Sequence, residues 1–323
     1  MNIFEAIGLH HNHREPDKCT MKVKHWDKVP DSKKKNREYH AQVKHDGIYC
    51  HVVKSGSKFK FFSRSGLELS NTGRLERFLL GQQHNVDQAI FIAELCCDEC
   101  SLEELSGLFN PNRVEPLSSE QAEGAYEAYL VYHDMITFEE YRDGVSRLGY
   151  SERYLQLMSA VGRGSGLLIG SNLIGSDEVE QYADYCINLG EEGAVFKTTD
   201  GLWKAGYRGA DMMKIVKQVS YDLECIGVEE GEGKYQGKVA NLIFRWRDGQ
   251  IIKAMLGEGW THQDARDMWV CYSALMDILT PGKLIMSTPV GCIFKVYALQ
   301  ESSKGKLRLP KVGERRFDKE ADF

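Results

Sequence analysis

Apolar residues recur along this chain with two periods, about two and about 3.6, and the places where the period changes outline its elements. The run AQVKHDGIYCHVVKSGSKFKFFSRSG, starting at Ala41, is rich in Val, Ile, Tyr and Phe. Interrupted by Ser55-Gly56-Ser57, it predicts two strands joined by a turn, with Lys44 on or at the edge of the first. QAIFIAELCC (88–97) is a short apolar run suited to a buried strand, and EAYLVYHDMI (127–136) repeats the pattern. Each carries an acid that is costly to bury without a partner, Glu94 in the first and Asp134 in the second.

Helical spacing follows. Thr137 with Glu140 forms a capping box, and SERYLQLMSAV from Ser151 sets Tyr154, Leu155, Leu157, Met158 and Val161 on one buried face. In SDEVEQYADYCINLG, Ser176 serves as N-cap and Gly190 as stop, with Val179, Tyr182, Ala183, Cys186 and Ile187 at helical spacing. A strand follows at EEGAVFKTT. After Lys217 the texture changes to strands and tight turns: SYDLECIGV, KVANLIFRW, QIIKAML and CIFKVYAL, with Arg247-Asp248-Gly249 as a hairpin turn and THQDARDMWVCYSAL as a helical interruption. Such a segment suits a small OB-type barrel. The expected domains are therefore 1–217 and 218–323.

With 42% hydrophobic and 27% charged residues in 323, composition excludes a disordered chain. No apolar run approaches the roughly 18 residues of a membrane span, and the N-terminus lacks the pattern of a signal peptide. A cytosolic location is expected, the host's cytosol if the chain is phage-encoded. Nine cysteines, an odd number, argue against a disulfide scaffold. Cys96, Cys97 and Cys100 lack a second pair at zinc-ribbon spacing and read as small apolar residues after a strand. The net charge of −6 does not point to nucleic acid, but residues 18–37 hold eight Lys or Arg against two Asp. Such a run is by default a solvated face; the sharper reading is a phosphate-contacting stretch just upstream of Lys44.

A lysine that attacks a nucleoside triphosphate needs a neutral amine, carboxylates for a divalent metal, and cations around the phosphates. The chain supplies these in order: Lys44 and Asp46 in KHDG, Arg64 in FFSRSG, Glu94 in FIAEL, Tyr132-His133, Glu192 and Lys197 in EEGAVFK, then Lys214 and Lys217 in MMKIVKQ.

This series resembles the ATP-dependent DNA ligases of the covalent nucleotidyltransferase superfamily, and its compactness is similar to that of the short phage enzymes. The family's KxDGxR matches KHDGIY, its third motif AEL, its EGxVxK EGAVFK, and its RxDK RFDK; SLEELSGLFNPNRV also looks like the phage branch. The resemblance spans from about residue 40 to 320. It implies an α+β fold: a nucleotidyltransferase (ATP-grasp-like ligase) core of antiparallel sheets with helices, then a C-terminal OB-fold β-barrel. It implies ATP and Mg2+, with Mn2+ as a possible substitute, and nicked duplex DNA as partner of a monomer with no membrane association.

By the same resemblance Lys44 would carry AMP, with Asp46, Glu192 and Lys214 as the other catalytic residues. Gln42 and Val43 would border adenine, with Tyr132 or His133 stacked on it. Arg64 would bind the nucleotide or the nick 5′-phosphate. Glu94 would contact ribose or, through water, the metal, and Glu192 would hold the metal. Lys197 and Lys214 would contact the α-phosphate, with Lys217 as a further candidate. Arg316, Asp318 and Lys319, on a mobile OB domain, would close over ATP. Three positions depart from the pattern: Tyr49 stands in place of the arginine of KxDGxR, His133 in place of Phe, and KIVK in place of K-x-K. The rival readings are an RNA ligase or capping guanylyltransferase on the same scaffold, and a non-catalytic nick clamp.

Overall fold

The computed structural model describes residues 1–9, 13–277, 288–301 and 305–323. The chain divides into two compact units, Met1–Val216 and Lys217–Phe323.

The strands of the first unit are β1 (Lys22–His25), β2 (Glu38–Lys44), β3 (Ile48–Ser55), β4 (Lys58–Phe62), β5 (Gln88–Cys96), β6 (Tyr129–Ile136), β7 (Asn172–Gly175), β8 (Gly193–Thr198) and β9 (Arg208–Val216). They form a five-stranded sheet in the order β1-β9-β8-β2-β7 and a four-stranded sheet in the order β4-β3-β5-β6. The run from Ala41 that reads as one strand through Lys44 is therefore two. It breaks at His45-Asp46-Gly47, and the halves join different sheets. Gly47 permits the crossing: a Cβ there would stand 2.6 Å from the Leu95 carbonyl oxygen and 2.7 Å from Glu94 Cγ. Lys44 is thus the last residue of β2, in one sheet, four positions before Ile48, the first residue of β3, in the other.

The core is not wholly antiparallel, as β1 pairs parallel with β9. No tight hairpin links these two strands, and only such a link forces antiparallel pairing. Strands β1, β7 and β9 escape the sequence pattern because their residues are mostly half-buried or exposed.

The Thr137 capping box is present, with Thr137 N donating to Glu140 at 2.8 Å and Glu140 N to Thr137 Oγ1 at 3.1 Å. The helix Tyr150–Val161 buries Tyr150, Arg153, Tyr154, Leu157, Ala160 and Val161. Leu155, expected inside, is 56% exposed because it falls off that stripe. The helix Val179–Asn188 begins later than expected: Glu178, not Ser176, is its N-cap, and no side chain caps it. Its Val179, Ala183 and Cys186 pack with Trp26, Tyr39 and Phe196.

In the second unit β10 (Val219–Glu230), β11 (Val239–Arg245), β12 (Ile251–Leu256), β13 (Ile293–Ala298) and β14 (Lys311–Arg316) close into a barrel in the order β10-β11-β12-β14-β13. Its core includes Leu223, Phe244, Trp246, Phe294 and Val312, and the helix His262–Asp277 packs Ala265 against it. The turn at Arg247-Asp248-Gly249 is present, with positive φ at Asp248 (56°) and Gly249 (73°). Strand β14 was not legible, because KVGERR has a single apolar side chain in the core, Val312, among charged ones. It pairs parallel with β12 and closes the barrel. All nine cysteines are free thiols. Among the described residues no helix is long and apolar enough to cross a membrane.

Candidate active site

Strand register sets the position of Lys44. On β2 it lies opposite Gly193 at the start of β8, so the residue before Gly193 comes beside its amine. Lys44 Nζ donates to Glu192 Oε2 at 2.6 Å. Gly193 has φ of 147°, and a Cβ there would fall 2.2 Å from the Ile215 carbonyl oxygen, so only glycine lets β8 close on β9 at this point. Lys214, opposite Val195 on β9, follows from that closure. Burial and then the Lys44 charge hold its pKa below the ordinary lysine value.

The second sheet contributes Glu94, opposite Tyr49 in the β3–β5 ladder. Burial pushes the Glu94 carboxyl up to about 7; Glu192 and Asp46 act in the same direction, and Lys44 and Arg64 oppose them. Asp46 itself lies exposed in the crossing turn. The two sheets line an open cleft. Val131, Ile169, Val195 and Met212 give it apolar walls, while Lys44, Arg64, Glu94 and Lys197 give it charge. A flat apolar group with a polyanionic tail matches such a cavity.

Tyr132 and His133 separate because neighbours on a strand face opposite sides. Tyr132 is fully buried and stacks on Phe91 with centroids 4.7 Å apart and an interplanar angle of 7°. His133 lines the cleft. Tyr132 is therefore a core residue and is withdrawn as an adenine contact. Gln42 Nε2 donates to the Tyr150 hydroxyl at 2.6 Å, which donates to the His133 carbonyl at 2.7 Å. This chain ties β2, the helix and β6 together, and Tyr150 is a site residue that the motifs missed. Val43 also lines the cleft.

Lys197 Nζ donates to the His133 carbonyl at 2.8 Å and lies 3.2 Å from His133 Nδ1 and 4.3 Å from the Tyr150 ring centroid. Burial lowers its pKa to about 7, and burial together with Lys197 keeps His133 neutral. Because the folded pKa lies below the ordinary 10.5, the unfolded chain holds the extra proton between the two values. Stability therefore rises with pH across that window, by up to about 1.4 kcal/mol per unit. In urea titrations between pH 7 and 9, Lys197→Met should flatten the rise. Equal slopes in the two proteins would remove Lys197 as its source.

Half of the eight cations of the basic run pair locally, Lys28 with Asp27 at 3.5 Å among them. Lys18 meets Glu15 at 2.6 Å, Lys22 meets Asp17 at 3.2 Å, and Lys34 meets Asp31 at 3.0 Å. Lys34 also lies 4.9 Å from the Trp26 ring centroid, whereas Lys33 and Lys35 are exposed.

Comparison with known proteins agrees with this geometry. A family model described as ATP dependent DNA ligase domain matches residues 20–216, and one described as DNA ligase OB-like domain matches 230–316. The chain belongs to the ATP-dependent DNA ligase domain family. A probable DNA ligase of Beutenbergia cavernae is 27% identical over 220 residues, covering 67% of this chain and 41% of that protein. A DNA ligase of Thermococcus onnurineus is 28% identical over 182 residues, 53% of this chain and 32% of that one. The chain thus spans less than half the length of these curated relatives. The solved structure named Pmar-Lig_PreS3 has a TM-score of 0.72 at 17% identity over 92% of this chain and 67% of its own. A Lig E DNA ligase structure has a TM-score of 0.65 at 14% identity, covering 92% of this chain and 98% of its own. These two likenesses confirm the fold, a nucleotidyltransferase core followed by an OB barrel.

Lys217 is the first residue of the second unit. It lies past the end of β9, exposed, and Val216 takes the position on the face of Lys214. In the barrel unit, Arg316 ends β14, with Nε 3.7 Å from Asp318 and 4.0 Å from Asp222, and Nη1 3.3 Å from Glu314. Lys319 is exposed nearby. Tyr49, at the position of the family's arginine, bonds to the Thr20 hydroxyl and, at 3.1 Å, to His51 Nε2.

Proposed function

We propose that this chain is an ATP-dependent DNA ligase that seals nicks in duplex DNA as a monomer. The observation that carries the reading is the Lys44 amine, 2.6 Å from Glu192 and lining a cleft that also holds apolar side chains and the charged Arg64, Glu94 and Lys197. In the first step, Lys44 Nζ forms a bond to the ATP α-phosphorus as the bond to pyrophosphate breaks. Glu192 Oε2, 2.6 Å from the amine, would take the proton that the amine must lose. Gln42 and Val43 border the base, and His133, held neutral, presents a flat uncharged ring to it. Lys197 and Lys214, both depressed in pKa by burial, regain full charge beside the phosphates and neutralise them. AMP then passes from Lys44 to the 5′-phosphate of the nick, and the 3′-hydroxyl attacks that phosphate, joining the strands and releasing AMP.

Among the described residues no group of three or more His, Cys, Asp or Glu gathers into a metal site. Glu94 and Glu192 are nonetheless a pair of hard oxygen donors, which suits Mg2+ or Mn2+ completed by phosphate oxygens and water. Held there, such an ion would neutralise phosphate charge. Arg316, Asp318 and Lys319 of the barrel unit are assigned to ATP in the same step, and Arg64 to a phosphate.

Nicked DNA and nicked RNA duplexes, assayed side by side with ATP and Mg2+, test the reading. Sealing of the DNA nick is expected; sealing of the RNA nick alone would make the chain an RNA ligase. Lys33 and Lys35 are proposed to touch DNA phosphates. Replacing both by alanine, and leaving Lys34 with Trp26, should flatten the salt dependence of nick binding by up to about two units of slope. An unchanged slope would return the run to an ordinary solvated surface.

A further inference from the structure

Tyr49 occupies the position where the family pattern has an arginine, yet that position is not left without a cation. The Arg64 guanidinium lies over the Tyr49 ring, its central carbon 5.2 Å from the centroid. Tyr49 belongs to β3, and Arg64 to the turn that follows β4, the hairpin partner of β3. Both side chains line the cleft that Lys44 and Glu94 also line.

A hydrogen-bonded chain ties the ring to the turn. His51 Nδ1 lies 3.3 Å from the Ser63 carbonyl, and His51 Nε2 lies 3.1 Å from the Tyr49 hydroxyl. A carbonyl only accepts, so Nδ1 carries the proton. His51 is fully buried, and burial lowers its pKa to about 3, so the ring is neutral and Nε2 accepts. Tyr49 therefore donates to His51, and its oxygen accepts from Thr20. Ser63 in turn pins the turn of Arg64, with Ser63 N donating to the Leu67 carbonyl at 2.8 Å and Leu67 N to Ser63 Oγ at 3.2 Å. One histidine thus fixes both the platform and the backbone that carries the guanidinium.

We propose that Tyr49 is a positioning residue whose ring holds the Arg64 guanidinium toward the cleft to bind a phosphate, replacing an arginine carried by the strand itself. The inference rests on the ligase reading. The phosphate belongs either to ATP or to the 5′ end of the nick, and the two sources are separated by measurement.

The test uses the full chain with Tyr49→Leu, Tyr49→Phe, Arg64→Ala and the Leu/Ala double substitution. Two quantities are read: the ATP concentration that half-saturates covalent labelling, and the nicked-duplex concentration that half-saturates sealing by pre-adenylylated protein. Tyr49→Leu should raise the same one of the two that Arg64→Ala raises, by about fivefold. The double variant should match Arg64→Ala alone, and Tyr49→Phe, which keeps the ring, should stay within about twofold of the unsubstituted chain. A merely structural role would lower the saturated rate and leave the half-saturation unchanged. The proposal is overturned if the two shifts multiply in the double variant, if Tyr49→Leu moves neither quantity, or if Arg64→Ala moves neither. If the unsubstituted chain takes no label at all, the ligase reading falls and this proposal with it; if it labels and the shifts multiply, only the platform falls.

Discussion

Lys44→Arg is expected to abolish covalent labelling by ATP carrying a labelled α-phosphate, a loss of at least about 1,000-fold, while the melting curve stays in place. Lys44 and Glu192 are 21% and 9% exposed and pair at 2.6 Å. Arginine keeps the positive charge and a donor for Glu192, so the packing and the ion pair survive. A guanidinium is not deprotonated in proteins, however, and so offers no nitrogen lone pair for attack. Alanine should also remove the label, but it leaves the Glu192 carboxylate enclosed without its cation and lowers stability as well. The arginine variant therefore separates nucleophile from counter-ion. Labelling that persists in Lys44→Arg would assign the AMP to another side chain and sink the nucleophile assignment.

Arg153→Met should destabilise the first unit by about 3–5 kcal/mol. Arg153 Nε and Nη2 donate to the two Asp134 oxygens at 2.9 and 3.0 Å, and Nη1 donates to the carbonyls of Leu148 and Gly201 at 2.7 and 3.0 Å. Both side chains are nearly fully buried, 3% and 6% exposed. Methionine fills similar space but leaves the carboxylate and two carbonyls without this partner. Asp134 adjoins His133, and Arg153 is one helical turn from Tyr150, so the pair also braces the Gln42–Tyr150–His133 chain. Urea titration gives the measurement, and a loss under about 1 kcal/mol would mean that other groups satisfy Asp134.

The long apolar strands β3, β5 and β6 are readable because consecutive buried residues leave an unambiguous signal, and the cap at Thr137 and the stop at Gly190, with φ of 95°, because local chemistry sets them. Ser176 does not cap the helix because an earlier turn, closed by Gly175 N donating to Glu178 at 2.8 Å, delays its start. Strand β14 was silent because it closes a barrel through backbone pairing with little apolar burial of its own. In the site, Lys44, Glu94, Glu192 and Lys197 are named by motif order. Tyr150, Arg153 and Thr20 are not, since each acts by touching a residue far away in the chain, and His51 is not, since it acts through the Ser63 carbonyl across the hairpin.

The sequence by itself determined the residue types and their order: a lysine before Asp-Gly, acids at strand ends, cations after them, and a change of texture near Lys217. Motif identity is local, so one dimension suffices to carry it. Only the tertiary structure decided that the strand breaks at Gly47 to set Lys44 and Tyr49 on different sheets. It also decided that His133 rather than Tyr132 lines the cleft, and that Arg64 comes to lie over the tyrosine at the arginine's position. These are matters of register and strand pairing between distant segments, where a one-residue shift turns every side chain to the other face.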